Sequence, residues 1–175
     1  MRTISKDGFV FRFDNSYDEK AEPFGFVKVW QISEYTLDPN REILEHVQFC
    51  HEITYVISGK ATFLSGDAKD DLQQGDIHLI AKGVSHKIIP QERSNLRFSN
   101  IGFEFMDLQP IQQMFETNPH LVLRDNGEVR ILMTMLLNEM QNQKPFNHLR
   151  AECCINLILT HIYRMVTPGE DTPAA

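Results

Sequence analysis

HVQFCHEITYVISG (46–59) and GDIHLIAKGVSHKIIP (75–90) are the stretches whose reading decides the fold. His46 and Gln48 are two residues apart, so on one strand they project from the same face. Glu52 follows, and then Gly59, where a hairpin can turn. In the second stretch Gly75-Asp76 starts a strand, Gly83 permits a tight turn, and His86 lies just beyond it. If the strand of His86 lies beside that of His46, both imidazoles and the Glu52 carboxylate share one interior. Two histidines and a carboxylate make a facial set of ligands with open positions, suited to Fe(II), Mn(II), Ni(II) or Zn(II). The plainer reading of the same residues is a buried Glu52–His86 pair that satisfies both groups without a metal.

Outward from this centre the chain alternates in short runs. Residues 53–58, 60–65, 76–81 and 86–89 are predicted strands, with turns at Ser65-Gly66-Asp67 and Lys82-Gly83-Val84-Ser85. LRFSNIGFEF (96–105) is a longer one. Upstream, GFVFRF (8–13) sets Phe9, Phe11 and Phe13 on one face. FGFVKVWQISEYTL (24–37) sets Phe24, Phe26, Trp30 and Ile32 on one side around Lys28. Many short strands with no long helix between them predict an antiparallel sandwich or barrel.

The texture changes after Met106. Asp107 is placed to cap a short helix holding Leu108, Ile111, Met114 and Phe115, which Asn118-Pro119 ends. A stronger helix follows over 128–143, with Val129, Leu132, Met133, Leu136 and Met140 as its stripe. Asn147 is placed to cap the last helix, 148–166, which aligns Ala151, Ile155, Ile158, Ile162 and Met165. Leu157, Leu159, Tyr163 and Val166 widen that apolar surface. An arc wider than about 100° needs two partners, which points to a subunit contact as well as packing on the sheet. The tail 167–175 is rich in Pro, Gly and acid and reads as a terminus or linker.

The net charge of −7 makes this polypeptide a poor partner for a phosphate backbone or an anionic lipid surface. No apolar run reaches membrane-span length, and the start of the chain lacks a signal-peptide core. Three cysteines, two of them adjacent (Cys153, Cys154), form no disulfide framework; with Cys50 they read as reduced, mostly buried thiols of a cytoplasmic protein. His51 faces away from Glu52. His78 faces either the lumen or solvent, and its alternation with Ile77 and Leu79 leaves both open. His120, His148 and His161 read as surface or helix-face residues. Trp30 and Tyr55 read as core, each able to stack on a ligand.

The pattern H-x-Q-x3-E-x6-G followed by G-x5-A-x-G-x2-H resembles the two cupin motifs. It departs from them at Gln48, where a second histidine is usual, at Ala81 for proline, at Pro90 for asparagine, and at Asn40 for glycine. The resemblance implies a jelly-roll barrel and the metal ligands His46, Gln48, Glu52 and His86. Gln48 fills its slot poorly, because an amide oxygen is a weaker donor than imidazole. With the helices included, residues 8–166 resemble the N-terminal effector-binding and dimerisation domain of AraC-type transcription regulators. EITYVISG, GDIHLIAKGVSH, LRFSNIGFEF and the helices around ILMTMLLNEM and INLILTHIYRM carry that likeness.

The resemblance implies a cupin-like barrel with an N-terminal arm (1–106), a helical dimerisation segment of the same domain (107–166) and a tail or linker (167–175). It implies a small-molecule effector in an interior where His46, Gln48, Glu52, His86, Trp30, Tyr55 and His78 are the candidate contacts. The Phe9/Phe11/Phe13 segment would close over the mouth. A homodimer would form through residues 128–166, and DNA would be reached only through a C-terminal domain not in this chain. The competing class is a metal-dependent enzyme of the dioxygenase or isomerase type using Fe, Mn, Ni or Zn. A third is a partner-binding barrel without a ligand.

Overall fold

Each strand at the centre of the protein is covered on both faces, and that double burial sets the architecture. The computed structural model describes the backbone of residues 2–5 and 8–12 and the whole of residues 21–91, 95–142 and 144–168. A large antiparallel sheet runs β1 (Arg2–Ser5), β2 (Gly8–Arg12), β4 (Val27–Leu37), β11 (Leu96–Phe105), β6 (His51–Ser58), β9 (Asp76–Ile80) and β12 (His120–Arg124). The short strand β3 (Glu22–Phe24) pairs with the start of β4. A small sheet runs β5 (Ile43–Val47), β10 (Ser85–Pro90), β7 (Lys60–Ser65) and β8 (Ala68–Gln73). The helices are α1 (Gln109–Thr117), α2 (Glu128–Asn142) and α3 (Asn147–Val166).

Strand alternation divides the apolar residues between two cores. Val56, Phe98, Leu96 and Ile80 point from the large sheet toward Ala61, Phe63, Leu72 and Ile88, and pack between the sheets. Val27, Val29, Ile32, Ile53, Tyr55, Ile77, Leu79, Ile101 and Phe103 point the other way, against Val129, Met133, Leu136, Ile155, Ile158 and Ile162 of the helices. β9 is buried at every residue for this reason. The predicted mainly-β class with C-terminal amphipathic helices is the observed one. Among the described residues the two sheets do not pair into one closed barrel.

Several local expectations change. The strands β8 and β12 were not legible, and β8 carries Lys69, Asp70 and Asp71; the strand expected at His46 is β5, which has four of its five residues exposed and ends at Val47, before Gln48. The expected stripe of Phe24, Phe26, Trp30 and Ile32 is broken by a bulge, where Gly102 pairs Gln31 and Phe103 pairs Val29. Trp30 is the extra residue. Phe26 is exposed, whereas Phe24 and Ile32 are buried. Asp107 does not cap α1, which starts after Leu108 with Pro110 in its first turn. Asn147 is the first residue of α3 rather than its cap; Phe146 precedes it in a left-handed conformation, φ 65°. Asp125 caps α2 with both oxygens, accepting from the N–H groups of Val129 and Arg130 at 3.1 Å each. Of the Phe9/Phe11/Phe13 stripe, Phe13 and the side chains of Phe9 and Phe11 lie outside the described residues, as do residues 169–175 of the tail.

The β6–β7 hairpin turns on Gly59, at φ +88°, where an added Cβ would lie 2.3 Å from the Asn95 carbonyl oxygen. Gly66 also has positive φ, but nothing lies within 4 Å of its Cβ position. Gly59→Ala is expected to lose more than about 3 kcal/mol of unfolding free energy, from backbone overlap on top of strain. Gly66→Ala is expected to lose about 1 kcal/mol. Urea denaturation of the two variants checks the contrast.

Candidate functional site

The two motif stretches meet because β5 and β10 pair with His46 directly opposite His86. Their ring centroids are 4.3 Å apart, tilted by 57°. Each ring sets its Nδ1 on a carbonyl two residues back, Leu44 at 3.0 Å for His46 and Val84 at 3.4 Å for His86. The join is reinforced next to them. Gln48 N–H donates to Val84 O at 2.9 Å, and Gly83 N–H donates to Gln48 O at 2.7 Å. The turn at Gly83, φ +89°, therefore holds the His86 strand against Gln48.

Glu52 projects from β6 into the same interior, where it is 7% exposed. Three side chains donate to its carboxylate: Thr54 Oγ1 at 2.8 Å, Gln48 Nε2 at 3.0 Å and Asn100 Nδ2 at 3.1 Å. Ser33 Oγ donates to Asn100 Oδ1, which turns the amide so that its NH2 faces Glu52. Burial nevertheless pushes the Glu52 carboxyl above its ordinary range, against the pull of Thr54, His46, Gln48 and Asn100. Cys50, buried beside this network with Sγ 3.9 Å from Gln48 Nε2, is pushed up to about 12, by burial first and then by Glu52. It is an inert thiol.

These groups line a cavity of about 350 Å³ between the sheets. His46, Gln48, Glu52, His86, Gln31 and Asn100 form its polar end; Tyr35, Leu37, Ile43, Phe49, Ile88 and Phe98 form the apolar remainder. His46 stands exposed at the mouth, and His86 is buried. Thus four of the seven candidate contacts converge, and three do not. Tyr55 lies on the opposite face of the large sheet, among the helices. Trp30, displaced by the bulge, meets the cavity only through the edge of Phe49, at 5.6 Å. His78 does face the interior, beneath Phe63 with centroids 4.0 Å apart, but it is fully buried and outside the cavity lining. Ser33, Thr54 and Asn100 were missed. The signal for two of them was the dipeptide Ser99-Asn100 inside an apolar strand and Thr54 inside EITYVI.

The resemblance to metal-binding barrels can be tested on this donor set. The carboxylate that would ligate is already accepting from three neutral donors, and the Gln48 amide presents its NH2 inward to do so. Among the described residues no three His, Cys, Asp or Glu side chains are placed to hold one ion. The arrangement does not fit a transition metal. Elsewhere, His51 faces Phe103, Phe105 and Phe115, away from Glu52 as expected. His120 pairs with Asp70 at 3.1 Å, His161 with Glu128 at 2.8 Å, and His148 stacks on Phe24.

His78 has neither ring nitrogen partnered, and burial, with His86 and His120 behind it, lowers its pKa to about 3. His86 is lowered to about 4, again by burial first and by His46 second. A histidine depressed in the folded state contributes stability that is intact above its unfolded value and is lost as pH falls toward the folded one. Glu52, raised, works in the opposite sense. The difference between the native chain and His78→Leu isolates the His78 contribution. Between pH 7 and pH 5 the native chain is expected to lose about 2 kcal/mol more than His78→Leu. Urea midpoints measured across that range check it; parallel curves would contradict the assignment.

Comparison with known proteins places this geometry. A search of curated proteins found no match. Among solved structures, the protein YhaK from Escherichia coli is similar at a TM-score of 0.51 and 14% identity, over 68% of this chain and 51% of YhaK. The chain thus spans about half the length of that protein. An RmlC-like cupin family protein with a double-stranded β-helix fold, from Methanocaldococcus jannaschii, is similar at 0.45 and 17%, over 60% and 90%. No helix among the described residues is long and apolar enough to cross a membrane. The model of the AraC-like ligand binding domain matches residues 38–158, which include both histidine strands, Glu52 with its three donors and most of the helical pair. With two antiparallel sheets of cupin type, an interior cavity between them and helices behind, this chain belongs to the AraC-like ligand binding domain family.

Proposed function

We propose that the cavity between the sheets is the sensing site of a transcription regulator and that it takes a small uncharged molecule with one hydrogen-bonding end and one apolar end. The observation that carries this reading is the lining itself. Among the described residues no lysine or arginine lines the cavity, and its one carboxylic acid is Glu52. A carboxylate ligand would meet that acid and the His86 imidazole, which burial keeps uncharged, with no lysine or arginine among the described lining residues to replace its lost hydration. A hydroxyl or amide finds donors and acceptors at His46, His86, Gln48 and Asn100. About 350 Å³ is at the small end of ligand sites. The competing metal-dependent enzyme needs Glu52 on an ion, and Gln48 and Asn100 already occupy its Oε2 while Thr54 shares its Oε1. DNA contact belongs to another domain of the regulator, in keeping with the net charge of −7.

Two copies pair through α3. Leu149, Cys153 and Leu157 recur every fourth residue on one exposed stripe, with Leu149 and Leu157 each 55% exposed. Effector binding changes how the pair is presented only to the extent that the two arrangements bind effector differently.

Thermal-shift screening and calorimetry, run with and without chelator, test the site. Neutral sugars and aromatic alcohols are expected to include binders, and the matched acids are not. His86→Ala is expected to weaken a binder at least about tenfold, and chelator to leave it unchanged. Binding lost on chelation, or confined to the acids, would sink the proposal. For the pairing, Leu149→Glu/Leu157→Glu is expected to sediment as a monomer at concentrations where the native chain is a dimer.

A further inference from the structure

A second hollow lies on the other side of the large sheet, between that sheet and α2. Two grooves meet there, of about 850 Å³ and about 680 Å³, and both are lined by Tyr55 and Arg130. The first is bordered by Lys60 from the β6–β7 hairpin, Arg124 at the end of β12 and Arg130 in the first turn of α2. In a chain of net charge −7, three cations around one hollow need a reason.

The acids nearby do not supply it. Asp125 lines the same groove, but both its oxygens accept the N–H groups that open α2, and the Tyr55 hydroxyl bonds to it as well. Arg124 places one nitrogen on Gln74 O at 2.6 Å and Asp76 Oδ1 at 2.8 Å, leaving other donors of its five. Among the described residues the Lys60 ammonium and the Arg130 guanidinium make no ion pair. In the second groove Glu34 is matched by Arg97, whose Nε and Nη2 donate to it at 2.8 and 2.6 Å.

The second groove is of different character. Ile57, Met133 and Leu137 give it an apolar wall, and Ile131 and Met135, 57% and 40% exposed, extend that wall along α2. Ser99 faces it from β11. That residue is 1% exposed, and its hydroxyl has no hydrogen-bond partner. A buried hydroxyl without a partner is destabilising, and a ligand atom in the groove would satisfy it.

We infer that this double groove binds a small organic anion: its phosphate or carboxylate sits among Lys60, Arg124 and Arg130, and its apolar body lies along Ile57, Met133 and Leu137 beneath α2. The site is separate from the cavity between the sheets and has the opposite charge preference. A ligand here would touch α2 directly, so its occupancy couples to the helical pair without passing through the barrel.

The test uses phenyl phosphate and benzoate as probes on the full chain, with inorganic phosphate as the control for general ion effects. Thermal shift and calorimetry are run on the native chain, on Lys60→Ala/Arg130→Ala and on His46→Ala/His86→Ala. One or both aromatic anions are expected to raise Tm beyond inorganic phosphate. Their binding is expected to weaken at least tenfold in Lys60→Ala/Arg130→Ala and to persist in His46→Ala/His86→Ala. Preference between the two probes assigns phosphate or carboxylate. A Met133→Ala variant, if the charge variant proves unstable without ligand, is expected to lose the advantage of the aromatic probes over inorganic phosphate. No shift with either probe, an equal shift with inorganic phosphate, or loss only in the barrel variant would each overturn the inference. None of these outcomes bears on neutral ligands in the barrel.

Discussion

Every strand at the centre of the large sheet must serve two apolar cores at once. Along β6 this forces Ile53, Tyr55 and Ile57 toward the helices and Glu52, Thr54 and Val56 toward the small sheet. A one-residue slip would move the carboxylate into the helix core and Tyr55 into the cavity, so register is held by both faces together. Near the cavity the bulge at Gly102 and Trp30 is a local departure from that rule. It lets Gln31 and Ser33 face the interior while Val27 and Val29 still face the helices.

The polar interior is affordable only because it is closed on itself. Glu52 lies in a setting that disfavours its charge, and two of its three donors are held by further bonds: Asn100 by Ser33, and Gln48 by its backbone bonds to Val84 and Gly83. A network in which most groups are satisfied fixes one arrangement, whereas a half-satisfied one would favour several. His78 is the exception, buried with both nitrogens unpartnered, and it makes the interior sensitive to acid. The same logic separates the two faces of the sheet as ligand environments. The inner one offers neutral and acidic groups, and the outer one gathers cations around the start of α2.

How far the sequence could be read depended on which force wrote each signal. Spacing put His46 and Gln48 on one face and named Glu52 and His86 as their neighbours if two strands paired, because two-residue alternation and glycine turns are local properties of the chain; the pairing itself is tertiary. The same reasoning failed for Trp30, since a bulge changes the phase of a strand and shows only in its pairing. Tyr55 is core as read, but which side of the sheet it faces was not legible, since a strand buried on both sides has no polar face to mark its direction. β8 was missed because an edge strand facing solvent lacks an apolar alternation. Asn147 and Asp107 have cap chemistry, but the backbone reached helical geometry through Phe146 and Pro110 instead.

The sequence by itself determined the class of fold, the helical pair behind it, and the family the motifs resemble, because these follow from periodicity and turn chemistry within short windows. Only the tertiary structure decided what the motif residues do to one another. Asn100, Ser33 and Thr54 come from three strands; Asn100 and Thr54 donate to Glu52 and Ser33 to Asn100, which turns a familiar ligand set into a self-satisfied polar network. The meeting of Lys60, Arg124 and Arg130 around a hollow is likewise a product of packing: a hairpin, a strand end and a helix start are brought together by burial on both faces of one sheet.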